Sequence, residues 1–425
     1  MRKVTEPQTP TGIETDSPIT QDRDNVSLAF LFWTFLKIGS VAFGGFMALI
    51  SVVETIIVQR HKLLQHKEML DGISLANLLP GPMAVNVVAF VGYRLRGPLG
   101  ALVSATAVIL PSFFLLLALS YLYFNYGQVP GVQKAFQGFI PAVAAIVLSV
   151  VWRMGQKTIT GLPELVLAAI AATVMFLTPN EYKVYAPITL IALFALIGHR
   201  LFINKVGDNA GSETPGRPVS LKKLGITLAL LGSLVALWFV PLPLERDSLL
   251  LLTLTFASMS LILFGGGFVF IPIIGSIVVL DYSWVTQQEF TDGIAMGQIT
   301  PGPILISATF IGYKVADFTG ALLATIAIFT PPAILMVTAS QALDFIQRSR
   351  VTRAAMRGIH CGVIGMILVA AYVILKPALP TAELDVASIW PTALIFIASL
   401  IALLRFKLDV VWIIPAAGLF GYLFY

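Results

Sequence analysis

The sequence predicts an all-α protein that crosses a membrane many times and consists of two homologous halves. Hydrophobic residues make up 57% of the 425 residues and charged residues only 12%, whereas soluble domains carry about 25% charged residues. Apolar runs of about 20 residues, the length that crosses about 30 Å of hydrocarbon, recur from end to end. Several motifs also return, in the same order, in the second half of the chain.

About 13 transmembrane helices are expected from these apolar runs. The runs lie near residues 27–50, 72–93, 98–124, 136–152, 163–178, 185–203, 222–240, 249–274, 290–313, 319–342, 358–375, 387–404 and 409–425. Residues 1–25 are polar and proline-containing, which predicts a disordered tail rather than a cleavable signal peptide. Residues 204–223 have the composition of a linker. We therefore expect a first repeat at 26–203 and a second repeat at 224–425, which begins with one extra helix.

Matching motifs indicate the duplication. Three motifs return 221 residues later: "FGG" at 43–45 and 264–266, "EMLDGI" at 68–73 and "EFTDGI" at 289–294, and Pro-Gly-Pro at 80–82 and 301–303. Beyond Pro-Gly-Pro the offset is 220, so that Pro111 matches Pro331. Shared hydrophobicity does not place several motifs in one order at near-constant spacing, and we infer an internal repeat.

The orientation of the two repeats follows from the number of crossings between them. If each run crosses once, seven crossings precede the second copy, and the repeats are inverted. A cytoplasmic N-terminus then places most lysine and arginine clusters inside, as expected for membrane proteins, but leaves Arg60, Lys62 and Lys67 outside. A re-entrant segment at one Pro-Gly-Pro would change the parity, and this alternative stays open.

The two Pro-Gly-Pro motifs predict discontinuous helices. A single proline in a membrane helix is usually a packing kink. Here a triplet is duplicated, and polar side chains flank both copies: Asn77 and Asn86 in the first, Gln298 and Ser307 in the second. Backbone N–H and C=O groups that lack helical hydrogen bonds are tolerated inside the bilayer where they line a cavity. The pattern therefore favours a binding site over a kink.

The geometry of such breaks points to an anion. Pro82 and Pro303 suit the first position of a new half-helix, where a missing N–H costs nothing. The amides that follow lack helical partners and carry the positive end of the helix dipole. We expect residues at both breaks to bind the anion. At the first break they are Pro80, Gly81, Pro82 and Met83 with Asn77 and Asn86, and at the second they are Pro301, Gly302, Pro303 and Ile304 with Gln298 and Ser307.

Lys37 and the glycine runs are further candidates for the anion site. Lys37 lies about ten residues into the first run, about 15 Å deep, where a charge is a functional hypothesis by default. Pairing with Glu54 or Asp71 is the alternative. Gly44, Gly45, Gly265 and Gly266 either donate amides to the anion or let helices pack closely.

Asp71 and Asp292 occupy matched positions ahead of the two breaks, where they could relay protons, together with Glu54, or cap a half-helix.

Enzyme chemistry finds little support, because the chain has no H-E-x-x-H, G-x-S-x-G or phosphate-loop motif. We expect no cofactor, no metal site and no nucleic-acid partner. The lipid bilayer is an expected partner, and a homodimer is a candidate assembly.

These motifs resemble the chromate ion transporter family in its long, two-domain form. The stretches that carry the resemblance are "FLKIGSVAFGG", "LLPGPMAVNVVAFVGYRLRGPLGA" and "ILPSF" in the first half, and "FGGGFVFIP", "EFTDGIAMGQITPGP", "IGYK" and "TPP" in the second. The resemblance implies a multi-pass inner-membrane protein that exports chromate and confers resistance. A sulfate or related oxyanion uptake permease is the alternative. Phe46 stands where the family usually has proline, and Leu63 where it often has tryptophan.

Overall fold

The structure is a computed structural model that describes residues 26–42, 46–127, 129–179, 182, 185–204, 221–237, 245, 248–264, 270–341, 349–378 and 386–425. These residues form helices and connecting turns, and the described part of the chain contains no strand, which confirms the all-α fold. The predicted tail at 1–25 and most of the predicted linker lie outside the described residues.

Within the described residues, the first half contains seven helices. They are α1 (Leu28–Val41), α2 (Phe46–Val53, continued by a π-helix at Glu54–Arg60), α3 (His66–Leu78), α4 (Met83–Tyr126), α5 (Pro130–Thr158), α6 (Leu162–Leu177) and α7 (Ala186–Phe202).

The second half repeats this order after one additional helix, α8 (Leu221–Leu237). Its helices are α9 (Leu249–Ser260), α10 (Phe270–Gly275, continued by a π-helix at Ser276–Asp281), α11 (Gln287–Ile299), α12 (Ser307–Ser340, preceded by a 3₁₀ turn at Ile304–Ile306), α13 (Arg350–Leu375), α14 (Val386–Leu404) and α15 (Val410–Phe424).

Four helices in the described part of the chain are long and apolar enough to cross a membrane. They are Met83–Tyr126, Pro130–Thr158, Ile304–Ser340 and Arg350–Leu375. Seven further apolar helices are shorter, with 10–17 residues. The chain is therefore a multi-pass membrane protein with helices of two length classes.

The α1 and α2 helices form a hairpin instead of the single helix predicted for residues 27–50. The rings of Phe30, near the start of α1, and His61, just after α2, lie 5.1 Å apart. The matched run in the second half folds back in the same way, because Phe256 on α9 stacks on Trp284 beyond α10 with ring centroids 6.4 Å apart.

The Pro-Gly-Pro motifs lie at the ends of a second pair of hairpins. Gly72 on α3 faces the ring of Phe90 on α4, so closely that an added Cβ would lie 2.4 Å from Cδ1 of that ring. Gly293 on α11 faces Phe310 on α12 in the same way, at 2.6 Å. In a continuous straight helix these residues would be more than about 25 Å apart. Four of the predicted single crossings are thus helical hairpins.

A second reversal follows at the same position in both repeats. In α4 the backbone of Arg96 and Gly97 is not helical, and in α12 the same holds for Ala316 and Asp317. Gly97 has φ 63° and Asp317 has φ 46°, both in the left-handed region. The part of α4 at residues 83–95 is therefore a short half-helix that turns back into a longer segment at 98–126.

The two halves interlock. α4 packs on α12 at the centre, α5 of the first half packs on α14 and α15, and α13 of the second half packs on α6 and α7. An ion pair joins the halves at α6 and α13, where Arg357 Nη2 lies 2.8 Å from Oε1 of Glu164, a carboxylate that is 1% exposed. Breaking such a buried pair costs about 3–5 kcal/mol.

Candidate functional site

The centre of the protein is built by an exchange of backbone hydrogen bonds between the two repeats. Gly81 N donates to Leu263 O at 2.6 Å, and Gly302 N donates to Ala42 O at 3.1 Å. Both donors belong to Pro-Gly-Pro motifs, and both acceptors come directly before a glycine run of the other repeat. Because matched donors bind matched acceptors, the contact is self-complementary, as at a two-fold interface.

Glycine is required at both turns. Gly81 has φ 103° and Gly302 has φ 120°, a backbone conformation that side chains strongly disfavour. An added Cβ at Gly81 would lie 2.3 Å from Pro332 Cβ, and one at Gly302 would lie 2.5 Å from Ser112 Oγ. The Ser112 hydroxyl also donates a short hydrogen bond to Pro301 O. Pro332 and Ser112 are themselves matched positions, at offset 220.

The first break opens the N-terminus of a helix, as predicted, but one residue later. Pro82 is the N-cap and Met83 begins α4, so the proline precedes the first helical position instead of filling it. The N-cap side chain makes no hydrogen bond, and the first-turn amides of an α-helix have no partners within the helix. This is the arrangement that binds anions elsewhere.

The second break differs from the first. Pro303 is again an N-cap, but the turn that follows is a 3₁₀ turn in which Ile306 N donates to Pro303 O at 3.0 Å. The predicted lack of helical partners for the amides at Ile304–Ile306 is therefore wrong for one of them, because the amide of Ile306 forms the hydrogen bond of the 3₁₀ turn. The two half-sites are related but not identical.

The flanking polar side chains have different surroundings. Asn86 is fully buried and donates from Nδ2 to Pro80 O at 3.1 Å, whereas its Oδ1 has no hydrogen-bond partner among the described residues. The Nε2 of Gln298 is also buried without a described partner. Ser307 Oγ donates to Ile304 O at 2.9 Å, and Asn77 is exposed. Two polar atoms near the breaks are thus unsatisfied.

Lys37 lies on the exposed side of α1, whose buried side carries Phe35 and Ile38. Glu54 pairs with His66 instead, with 2.8 Å between Oε1 and Nδ1. Lys37 therefore forms no ion pair with Glu54 in this structure, and its role in binding the anion stays a prediction. Gly44, Gly45, Gly265 and Gly266 lie outside the described residues.

Asp71 and Asp292 are not helix caps, which corrects one of the two roles predicted for them. The N-caps of α3 and α11 are Gln65 and Thr286, which form capping boxes with the glutamates three residues later. Both aspartates lie farther along their helices. Asp71 is half-buried and Asp292 is 1% exposed. Among the described residues, no group of three or more histidine, cysteine, aspartate or glutamate residues could hold a metal ion.

Matched positions in the two repeats differ in exposure. Val41, Leu70 and Ser74 are exposed, with 62% and 46% for the first two. Their counterparts Ile262, Thr291 and Ala295 are buried, at 6%, 0% and 0%. Lys37 is exposed and its counterpart Ser258 is 1% exposed. In the second repeat α8 packs on α9, and α5 and α15 pack on α11, whereas α3 is only marginally touched by α13.

Three residues that contact predicted site residues were not indicated by the sequence. Ser112 belongs to the "ILPSF" stretch, which served to support the family resemblance and, through Pro111, the repeat, and could have indicated a contact. Tyr123 and Gln288, which hydrogen-bond to Asp292, belong to no motif. Their contacts depend on how α4 and α11 pack, and no sequence pattern indicates them.

Comparisons with known proteins agree with the internal repeat. The profile of the family described as "Chromate transporter" matches residues 29–199 and again residues 250–422. The chain is 28% identical over 403 residues to a chromate transport protein of Cupriavidus metallidurans, covering 94% of each chain.

Two other relatives also match over most of their length. A chromate transport protein of Pseudomonas aeruginosa is 29% identical over 405 residues, which cover 92% of this chain and 91% of that protein. An uncharacterized transporter of Methanocaldococcus jannaschii is 29% identical over 349 residues, 82% of this chain and 84% of that protein. No solved structure matches. With two matches to the family profile that together span most of its residues, the chain belongs to the chromate transporter family.

Proposed function

We propose that this protein exports chromate across the inner membrane, and that the two Pro-Gly-Pro turns with the glycine runs bind the anion. The observation that carries the proposal is the exchanged pair of hydrogen bonds between Gly81 and Leu263 and between Gly302 and Ala42. It holds the N-terminus of α4 and the matching turn of the other repeat at one buried centre. Membership of the chromate transporter family supports the choice of anion.

The unsatisfied polar atoms support a ligand at this centre. A buried polar atom without a partner is costly, and both Asn86 Oδ1 and Gln298 Nε2 are in this state among the described residues. The Gln298 amide can donate to an oxyanion directly. Asn86 Oδ1 can only accept, so it suits a protonated oxyanion or a bound water. The proposed site therefore combines backbone amides with a few neutral side chains.

The membrane potential is sufficient to drive export. At about −100 mV inside, each exported negative charge gains about 2.3 kcal/mol, and a dianion gains about 4.6 kcal/mol. This corresponds to a gradient of roughly a thousandfold. Uptake of the same dianion would need more than two coupled cations. Energy therefore favours export over the rival function of an oxyanion uptake permease.

The hairpins support inverted repeats. If the four hairpins enter and leave the membrane on one side each, the crossings before the second repeat are residues 98–126 of α4 and the helices α5, α6, α7 and α8. This number is odd, so the second repeat begins on the opposite side. Inverted repeats related by a two-fold axis in the membrane plane would also account for the exchanged contacts.

The test of function is expression in a chromate-sensitive host. We expect lower accumulated chromate and higher tolerance than in cells that carry the empty vector. Unchanged tolerance with faster sulfate entry would favour the uptake permease instead. Purified protein in lipid vesicles should move chromate without forming a new product, which distinguishes transport from enzymatic conversion.

The unequal exposure of the repeats predicts which path is open to water. In alternating access one repeat is open while the other is closed, and we expect the open path to follow α1 and α3. In a background where the buried Cys361 is replaced by alanine, Ser74→Cys and Asn77→Cys should react at least tenfold faster with a charged, membrane-impermeant thiol reagent than the matched Ala295→Cys and Gln298→Cys. Equal rates, or rates in the opposite order, would show that the exposed residues face lipid or that the other path is open.

A further inference from the structure

A polar cavity of about 540 Å³ lies beside the first half of α11, between α4, α5 and α12. Its rim consists of exposed side chains: Gln133 and Gln137 from α5, Thr286 before α11, and Lys314 from α12. Asp292 forms part of its wall and is 1% exposed. The cavity thus connects a buried carboxyl group with the protein surface.

Asp292 is held by neutral donors only. Tyr123 Oη donates to Oδ2 at 2.7 Å, and Gln288 Nε2 lies 3.0 Å from Oδ1 and 3.1 Å from Oδ2. No described cation pairs with this carboxyl group. Inside a membrane protein an acidic residue without a cation is a candidate for a proton path.

The charged groups nearby form an ion pair with each other. Lys314 Nζ lies 2.9 Å from Glu289 Oε1 and also 4.9 Å from the centre of the Phe124 ring. Of the residues that line the cavity, the titratable ones besides Asp292 are Tyr123 on α4, Glu289 on α11 and Lys314 on α12. α5 contributes only uncharged glutamines and phenylalanine, and α10 and α15, which also pack on α11, contribute no lining residue.

Aromatic rings close the inner end of the cavity. Tyr123 contacts Phe310 with ring centroids 5.2 Å apart and Phe136 at 4.9 Å. Phe310 in turn presses on Gly293, the residue after Asp292. Asp292 therefore lies between a water-accessible cavity and the packed rings that separate it from the Pro-Gly-Pro turn, about 14 Å farther along α11 at 1.5 Å per residue.

We propose that Asp292 is a proton-binding site and that a proton moves with the anion in the same direction; this rests on the transport function proposed above. A hydronium ion in the cavity gives its proton to the carboxylate, so that one of its O–H bonds breaks, the Asp292 O–H bond forms and a water molecule remains. The proton passes to a water molecule on the other side when the anion leaves. The direction follows from charge, because an anion at the turn repels the Asp292 carboxylate in a low-dielectric interior. A dianion that travels with one proton leaves one negative charge for the membrane potential to expel.

The first repeat offers a natural comparison. Asp71, the counterpart of Asp292, is half-buried, and α13 touches α3 only marginally, whereas α5 and α15 both pack on α11. The counterpart of Gln288 is Lys67, a cation in place of a neutral donor. The two aspartates therefore have different chemistry, and the proton site is assigned to the second repeat only.

The experiment uses the full chain in lipid vesicles that contain a pH-sensitive dye, with the membrane potential clamped. Adding chromate outside at alkaline pH, where it is the dianion, should acidify the interior by about one proton for each chromate that enters. Chromate flux and pH are recorded together. No chromate flux above that of empty vesicles would contradict the transport function, whereas chromate flux without proton movement, or with alkalinisation, would contradict only the proton site.

Four variants separate proton binding from a structural contact. Asp292→Asn should lower the proton-to-chromate ratio at least tenfold, while Asp292→Glu and Tyr123→Phe should keep it, because a carboxyl group remains. Asp71→Asn should also keep the ratio. If Asp292→Asn retains the ratio, the protons travel on the anion or through another group, and if Tyr123→Phe loses it as well, the contact is structural. Elution as a single species from gel filtration checks folding, and a wild-type ratio near zero contradicts the proton site even if Asp292→Asn does not fold.

Discussion

Gly81→Leu and Gly302→Leu should each lower chromate transport at least 100-fold, to the level of vesicles without protein. Each glycine has a positive φ, 103° and 120°, and strain of this kind costs about 1–3 kcal/mol for other residues. Each also lacks room, because the added Cβ would lie 2.3 Å from Pro332 or 2.5 Å from Ser112. The turn would move, and the leucine would enter the space proposed for the anion. The measurement is chromate uptake per amount of protein in the membrane.

Two control variants distinguish a blocked anion site from the general effects of a larger side chain and of a strained backbone. Gly225→Leu on α8 adds the same side chain where an added Cβ has nothing within 4 Å, and it should transport normally. Gly97→Ala places a side chain at φ 63°, also with nothing within 4 Å, and it should keep most of the activity. Normal transport in both Pro-Gly-Pro variants would show that the motifs are packing kinks and that the anion binds elsewhere.

Lys37→Met should lower the apparent affinity for chromate by one to two orders of magnitude. The expectation assumes that the ammonium makes a charge-assisted hydrogen bond to the anion, which contributes about 1.5–3 kcal/mol. Lys37→Arg should retain more affinity than methionine but less than lysine, because a planar guanidinium does not replace a compact ammonium. The measurement is the concentration dependence of uptake for each variant.

The exposed position of Lys37 makes this a demanding test. No described carboxylate pairs with it, so its loss leaves no buried charge behind, and protein levels should not change. If it faces lipid or a second copy of the chain, methionine should leave chromate affinity unchanged and alter only stability or assembly. Its counterpart Ser258 is buried and uncharged, so the second repeat has no cation at this position.

Much of the fold could be predicted from the sequence, because it depends on composition and on chemistry repeated along the chain. Low charge and long apolar runs require helices in a membrane, and the fold is all-α. Motifs at a constant offset indicate a duplication, and the family profile matches both halves. The positive φ values at Gly81 and Gly302 also agree with what Pro-Gly-Pro implies about a sharp break.

The prediction of one crossing for each apolar run was wrong at the four hairpins, and the reason is physical. A run of about 20 apolar residues can cross once or turn back halfway, and both arrangements bury the same side chains. Only contacts between distant residues, such as Gly72 with Phe90, distinguish them. The 3₁₀ turn after Pro303 and the exposure of Lys37 likewise depend on neighbouring helices.

The sequence by itself determined the membrane environment, the repeat, the positions of the breaks and the family, since each follows from residue type and spacing. Only the tertiary structure decided which segments meet: Gly81 with Leu263, Gly302 with Ala42, and Tyr123 with Asp292. These contacts join residues far apart in the chain, and the packing of two similar repeats selects them. The same packing makes matched residues unequal, because α8 packs on α9 and α5 and α15 pack on α11, whereas α13 touches α3 only marginally.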